Sequence, residues 1–284
     1  MRGFFLGHFL AKKIIIVKLR THLKKYSIPK MIIKSLYQAW FLGNFASNPS
    51  SSMKKIIIII ILLFIQQSII AQSKKDYLVT ISTPWGEMHA VLYDKTPKHK
   101  ANFLKLVDDK FYDGLLFHRI VNGFMIQGGD PNSRKAKPNE TLGNGDVGYK
   151  VDAEILPDLF HQKGVLAAAR DNNPTKASSG CQYYIVQGKV WNDSTLKQQM
   201  ARSPQRIFTE QQKQAYKTIG GTPHLDGNYT VFGQVIDNLW VIDSVATQKR
   251  DKQNRPLVDL PMTISCKKMR KKKITKLYGW AFGE

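Results

Sequence analysis

The chain has 284 residues, which allows one or two domains, and it carries a formal net charge of +22. The excess charge lies at the two ends, because residues 1–75 hold 13 Lys and Arg with no acidic residue and residues 267–284 hold 7 with one Glu. The part between them is nearly neutral, which argues against nucleic acid as the partner of a folded domain there.

The first 71 residues are predicted to precede the folded domain. Met53-Lys54-Lys55 is followed by an apolar run at 56–65 and by a small residue, Ala71, a pattern typical of a secretory signal peptide. We expect 53–71 to be cleaved after Ala71, with an uncleaved N-terminal anchor as the alternative. Residues 1–52 would then be a non-native upstream extension; the alternative is a basic segment that associates with a membrane.

Two strands and one helix are predicted next. Residues 77–82 and 87–93 favour strands separated by turn residues. Thr96-Pro97 indicates a helix start, with Thr96 as N-cap and proline in the first turn. Leu104 and Val107 recur at helical spacing, so this helix is expected to bury one face.

The stretch 117–130 predicts a β-hairpin. Asn122-Gly123 is a turn or bulge signal that can reset which way the side chains point. Side chains two apart share one face of a strand, so Met125 and Gln127 point the same way. By itself, the pattern does not distinguish a functional hairpin from an ordinary hairpin that carries one surface arginine, Arg119.

The remaining core elements are short. Residues 132–149 are rich in Gly, Lys, Asn and Pro and predict a surface loop. The later predicted elements are strands at 149–155, 164–169, 182–187 and 230–235, a polar loop at 170–179, a helix at 239–246 and a closing strand at 262–266.

Two regions do not fit this series of strands. Residues 188–221 predict a partly helical insertion, with one helix through Ala201 and another from Glu210 to about Ile219, capped by Thr209. The basic tail, 267–284, has lost the alternation of a strand from Met269 on and is predicted to be solvated or disordered.

Motifs for several common chemistries are missing. The sequence has no Gly-x-Ser-x-Gly elbow, no P-loop and no zinc-ligand spacing, so we expect neither a metal nor a cofactor. Cys181 and Cys266 are too few for a disulfide framework, and we expect a buried free thiol at Cys181. A site without nucleophile, metal or cofactor suits a reaction in which no covalent bond is made or broken.

Three ordered blocks resemble one protein family. Phe-His-Arg-Ile with Gly-Phe-Met-Ile-Gln-Gly-Gly-Asp (117–130) is similar to the signature of the cyclophilins, the peptidyl-prolyl cis-trans isomerases. Gly-Val-Leu-Ala-Ala-Ala with Ser-Gly-Cys-Gln-Tyr-Tyr-Ile (164–185) and Leu-Asp-Gly-Asn-Tyr-Thr-Val-Phe-Gly (225–233) agree with it. The resemblance covers about 76–266. It implies a closed eight-stranded antiparallel β-barrel capped by two α-helices.

The resemblance also implies a site. Arg119 matches the catalytic arginine, and Gln127 and Gln182 match amides that hold the substrate backbone and orient that arginine. The apolar wall of the proline pocket would consist of Phe124, Met125, Tyr184 and Leu225.

The sequence departs from the family's pattern at four positions of this site. Ala169 and Arg170 match the family's Ala-Asn pair, whose backbone pairs with the peptide, but Arg170 departs from Asn. His224 stands where many members have Trp, and Tyr229 where most have His. Tyr184 replaces Phe, and its hydroxyl needs a partner or solvent when buried.

We therefore expect an exported, periplasmic isomerase that acts on X-Pro bonds of folding polypeptides, as a monomer and without a nucleic-acid partner. The alternative function is a proline-peptide-binding chaperone or scaffold module with little turnover. Membrane association through the N-terminal segment is a further possibility that the basic, apolar ends leave open.

We expect the mature protein to begin at Gln72, because cleavage after Ala71 would follow the signal-peptide pattern. N-terminal sequencing of protein purified from its native host would measure this. A peptide from 31–48 in the mature protein would contradict the proposed start at Met53.

Overall fold

The computed structural model describes residues 74–138, 140–203 and 206–282, so the predictions for 1–52 and 53–71 lie outside the described residues. The strands within these ranges are β1 (Lys75–Thr83), β2 (Gly86–Leu92), β3 (Arg119–Val121), β4 (Met125–Gly128), β5 (Lys150–Val151), β6 (Val165–Ala168), β7 (Ser178–Ser179), β8 (Tyr183–Val186), β9 (Val231–Asp237) and β10 (Thr263–Arg270). The α-helices there are α1 (Pro97–Asp108), α2 (Asp193–Met200), α3 (Glu210–Thr218), α4 (Trp240–Ala246) and α5 (Lys271–Tyr278). Two short 3₁₀ helices span Pro131–Ser133 and Pro223–Leu225.

Eight strands form one antiparallel sheet in the order β10-β1-β2-β9-β6-β8-β4-β3, and β5 pairs with β7 in a second, small sheet. The predicted antiparallel, mainly β architecture is confirmed. The predicted closure into a barrel is not: among the described residues, the ladder of the large sheet ends at β10 and at β3. Strand β7 was missed, because Ser178-Ser179 lies inside the segment predicted as a polar loop.

The main core lies on one face of the large sheet. Apolar side chains alternate along β1 and β2, where Val79, Ile81, Met88 and Ala90 are fully buried. Two helices cover this core with Phe103, Leu106 and Val107 from α1 and with Val241, Ile242, Val245 and Ala246 from α4. These are the two predicted core helices.

Local signals explain where α1 begins. Pro97 occupies the first turn as predicted, where its missing N–H is not needed. Thr96 stands at the N-cap position, but its hydroxyl donates to the carbonyl of Tyr93 (3.4 Å).

The insertion forms the two predicted helices around its own apolar cluster. The Asn192 side chain accepts a hydrogen bond from the Thr195 N–H (2.9 Å) and caps α2. Thr209 and Gln212 exchange hydrogen bonds of 3.2 Å in a capping box that starts α3. The cluster consists of Trp191, Leu196, Phe208 and Tyr216, with Phe160 and Met200 packed against it.

The C-terminal prediction was wrong. Strand β10 continues to Arg270 and is followed by α5, which ends at Gly279 with a left-handed φ of 69°. Ile274 is fully buried against Leu78 and Val91, with Tyr278, Trp280 and Phe282 packed around it. Too few apolar residues stand between the lysines to show strand alternation, although Ile274 and Tyr278 have the i, i+4 spacing of one helix face.

Cys181 and Cys266 are free thiols. Burial raises the pKa of Cys181 to about 11 and that of Cys266 to about 12, so both stay protonated at neutral pH. None of the helices described here is long and apolar enough to cross a membrane.

We expect Ile274→Ala to lower the free energy of unfolding by about 2–5 kcal/mol, because it removes a fully buried side chain between α5 and the sheet. Leu277→Ala, at a side chain 55% exposed on the same helix, is the control and should change it by less than about 0.5 kcal/mol. Urea unfolding measures both. Equal, small effects would contradict the docking of α5.

Candidate active site

The hairpin β3–β4 places the first site residues. Residues 122–124 form the turn, and Gly123 adopts a left-handed φ of 77° that favours glycine. The turn is held by Gln187, whose amide oxygen accepts from the Gly123 N–H (2.6 Å). The resulting register sets Arg119 opposite Gln127 and Val121 opposite Met125.

One row of side chains crosses five strands. Directly paired residues lie on the same face of an antiparallel sheet. The pairings Arg119–Gln127, Gln127–Tyr184, Tyr184–Ala167 and Ala167–Val231 therefore put all five residues on one face. The main core lies on the opposite face of the sheet. The residues that alternate with these five along the strands point into that core.

An apolar cluster covers this second face, and we call it the outer cluster. Its buried members are Met125, Val165, Ala167, Tyr184, Val186 and Val231, and Phe124, Leu225, Tyr229 and Ala169 are among the half-buried residues packed against them. The four residues predicted to form the pocket wall thus lie in one cluster, on the face that carries Arg119.

A chain of amides fixes the guanidinium. Arg119 Nη1 donates to Gln127 Oε1 (3.0 Å), and Gln127 Nε2 donates to Gln182 Oε1 (3.0 Å). Gln182 Nε2 donates in turn to the carbonyls of Gly143 and Gly145, at 2.9 and 2.8 Å. Both amides therefore orient the arginine, directly or through one intermediary, and Gln182 is itself buried.

Arg119 is half-buried, and this burial lowers the pKa of its guanidinium, while nearby Tyr229 acts in the opposite direction. The guanidinium remains charged at pH 7, because the ordinary pKa of an arginine lies about five units above 7. A charge partly withdrawn from water interacts more strongly with a neighbouring dipole than an exposed charge does.

His224 and Phe124 form one rim of the outer cluster. Their rings stack with centroids 5.6 Å apart and planes inclined by 25°. Burial lowers the pKa of His224, so this ring is neutral at pH 7 and acts as a flat, largely apolar surface.

Arg170 and Tyr229 form the other rim. The Arg170 guanidinium carbon lies 4.9 Å from the centre of the Tyr229 ring, and its Nε donates to the carbonyl of Asn228 (2.9 Å). The Ala169 N–H donates to the carbonyl of Gln182, and the Ala169 carbonyl accepts from Ser179. Both backbone groups of Ala169 are thus already bonded within the protein.

The Tyr184 hydroxyl, whose partner the sequence left open, meets His161 Nε2 at 2.9 Å. His161, Asp226 and Tyr216 were not predicted as site residues, although all three are buried beside the outer cluster. Asp226 directly follows Leu225 in the third block, and this position in the sequence could have indicated that Asp226 lies near the site. His161 and Tyr216 become neighbours of the site only through the fold.

Comparison with known proteins now decides the family. Residues 78–268 match the sequence model of the family described as cyclophilin type peptidyl-prolyl cis-trans isomerase/CLD. The chain belongs to the cyclophilins. It is thus a cyclophilin-type peptidyl-prolyl cis-trans isomerase.

Relatives of this cyclophilin include bacterial proteins. One from Staphylococcus aureus (strain USA300), provisionally named a peptidyl-prolyl cis-trans isomerase, is 35% identical over 184 residues, covering 64% of this chain and 87% of the relative. One from Streptococcus pyogenes serotype M6, provisionally named a bifunctional phosphatase/peptidyl-prolyl cis-trans isomerase, is 36% identical over 185 residues. The match spans only 37% of the length of that second relative.

A solved structure agrees in fold. The crystal structure of a cyclophilin type peptidyl-prolyl cis-trans isomerase from Cryptosporidium parvum aligns with a TM-score of 0.50 at 24% identity. The alignment covers 68% of this chain and 98% of that one.

We expect Gln127→Leu to lower kcat/KM of this cyclophilin about tenfold, because Arg119 loses the acceptor that orients it. Gln127→Glu, which can still accept from Arg119, should retain more activity than the Leu variant. A coupled assay on an X-Pro peptide measures both.

Gln234→Leu is the matched control, since Gln234 is also a buried amide but bonds the carbonyls of Lys163 and Val235. It should lower stability and leave kcat/KM of the folded protein within about twofold. Equal losses of kcat/KM in Gln127→Leu and Gln234→Leu would show that the Arg119–Gln127 bond has no special role.

Proposed function

We propose that Arg119 is the catalytic residue of this isomerase and that it accelerates rotation about X-Pro peptide bonds. The observation that carries the proposal is the half-buried guanidinium, held by Gln127 on the same sheet face as the outer cluster. The site thus combines one oriented cation with an apolar surface for a proline ring.

The reaction needs only a lower rotational barrier. Resonance in the C–N bond opposes rotation of a peptide bond by about 18–20 kcal/mol. The two isomers of an X-Pro bond differ by only about 0.5–1 kcal/mol, so neither end state needs stabilising. In the twisted transition state the prolyl nitrogen regains its lone pair, because resonance with the carbonyl is lost.

Arg119 would donate a hydrogen bond to that nitrogen. The donor stabilises the twisted form more than the planar one, which is the condition for raising kcat. Arginine suits the task because it stays charged and its donors form a rigid fork. Gln127 keeps this fork in place before the substrate arrives. In this mechanism the residues of the chain act without a cofactor.

The other predicted residues would bind the peptide. Phe124, Met125, Tyr184 and Leu225 would enclose the proline ring, and their common membership of the outer cluster supports this. Arg170 would pair with the backbone of the peptide, and His224 and Tyr229 would border the pocket.

We further propose closure of the large sheet into a barrel. Backbone hydrogen bonds from Gly114, Phe117 and Ile120 to the carbonyls of Met262, Leu260 and Asn254 support it. These bonds join β3 and the segment before it to the segment before β10, and β3 and β10 are the two strands at which the ladder ends.

The proposed location is the cell envelope, with folding exported polypeptides as substrates and a monomer as the active form. The signal-peptide pattern at 53–71 supports export, and retention of that segment would instead anchor the protein to the inner membrane. The N-terminal sequencing described above distinguishes the two.

We expect Arg119→Ala to reduce kcat/KM for an X-Pro peptide by about 10²–10³-fold while the fold and much of the peptide affinity are retained, because it removes a transition-state donor. A coupled assay and a peptide titration measure the two properties. Arg270→Ala, at an exposed arginine on β10, is the matched control and should match the wild type.

The alternative, a proline-peptide-binding module with little turnover, predicts a different result. The wild type would then bind the peptide through the outer cluster but show no turnover above the uncatalysed rate, and Arg119→Ala would change nothing in the assay. That outcome would refute the catalytic role of Arg119.

A further inference from the structure

A buried polar network lies directly behind the outer cluster. Tyr184 belongs to the wall of the proposed pocket, and its hydroxyl points to His161 Nε2 (2.9 Å). His161 Nδ1 lies 2.7 Å from Asp226 Oδ1, and Tyr216 donates to Asp226 Oδ2 (2.6 Å). Each of these four side chains is at most 5% exposed.

The donors and acceptors of this network have a single consistent order. Burial raises the pKa of Tyr184 and of Tyr216 well above the ordinary value, so both phenols keep their protons and donate. Tyr184 then donates to His161 Nε2, and the His161 Nδ1–H donates to Asp226 Oδ1. The carboxylate is balanced by Arg206, whose Nη2 lies 3.5 Å from Asp226 Oδ2.

The network connects two parts of the pocket wall. The Asp226 carboxylate also accepts from the backbone N–H of His161 (2.8 Å), and the His161 carbonyl accepts from Thr222 (2.8 Å). Asp226 directly follows Leu225, so these bonds fix the segment that carries His224 and Leu225 as well as the Tyr184 ring.

The same network reaches into the insertion. Tyr216 lies on α3, and its ring is part of the insertion's own apolar cluster. Its backbone carbonyl accepts from Trp191, which in turn donates through Nε1 to the carbonyl of Gly221 (2.9 Å). The insertion is thus bonded to the pocket wall by buried side chains.

We propose that His161, Asp226 and Tyr216 are positioning residues through which the 188–221 insertion sets the shape of the substrate pocket. They hold the Tyr184 ring and the Leu225 segment at a fixed separation, and thereby determine how tightly an X-Pro peptide binds. The inference rests on the proposed function, but it concerns peptide affinity and KM, whereas Arg119 concerns kcat.

Tyr216→Phe in the full chain tests the inference, because it removes one hydroxyl inside the insertion from a side chain that lies outside the outer cluster. We expect KM, and the dissociation constant of a tetrapeptide with one Ala-Pro bond, to rise about threefold to tenfold, the factor of one lost hydrogen bond. The value of kcat should stay within about twofold. Tyr184→Phe should have a similar effect, and the double variant should be less than additive.

Tyr183→Phe is the matched control. Tyr183 is also a fully buried phenol on β8, but it lies on the opposite face and donates to the sulfur of Met262 (3.1 Å). It should lower the melting temperature and leave KM and the dissociation constant unchanged. This separates a general loss of stability from a loss of pocket shape.

An unchanged KM and dissociation constant in folded Tyr216→Phe would overturn the inference and leave a purely structural role for the network. So would fully additive effects in the double variant. If Tyr216→Phe does not fold, Tyr184→Phe alone decides, and unchanged affinity there has the same meaning. If the wild type binds the tetrapeptide without turning it over, the proposed function fails, and the dissociation constants still judge this inference.

Discussion

The hydrogen bond from Arg119 to Gln127 is the interaction on which the site depends. This bond is possible only because the hairpin register sets these two residues opposite one another. Gly123 permits the turn that gives this register, because it adopts a left-handed φ. Gln182 and the glycine carbonyls of the neighbouring loop then fix the amide of Gln127. In the proposed mechanism, a guanidinium held in this way needs little rearrangement when the amide nitrogen of a substrate becomes a better acceptor.

The sheet serves both stability and function because it has two covered faces. One face is packed with α1 and α4 in the main core, and the other carries the outer cluster with Arg119 at its edge. Site residues therefore come from successive strands at the same level of the ladder. The buried network behind Tyr184 adds a second support, which extends from that face into the insertion.

Much of this organisation was predictable because it depends on local signals. The start of α1 at Pro97, the capped helices of the insertion and the hairpin around Asn122-Gly123 are each specified by a few adjacent residues. The C-terminal helix was not predicted, because it is rich in lysine and has one fully buried side chain, Ile274. The burial of Ile274 depends on strands that are far away in the sequence. His161 was missed for the same reason, since nothing near it in the chain indicates Tyr184 or Asp226.

The sequence by itself determined the identity of the family, the position of the catalytic candidate Arg119 and the side chains available to form an apolar wall. These follow from short motifs, because neighbouring residues decide turns, caps and alternation. Only the tertiary structure decided which distant groups satisfy one another: the partner of the Tyr184 hydroxyl, the counter-charge of Asp226 and the surface on which α5 packs. Burial creates these pairings, because a polar group removed from water must find a partner wherever the folded chain supplies one.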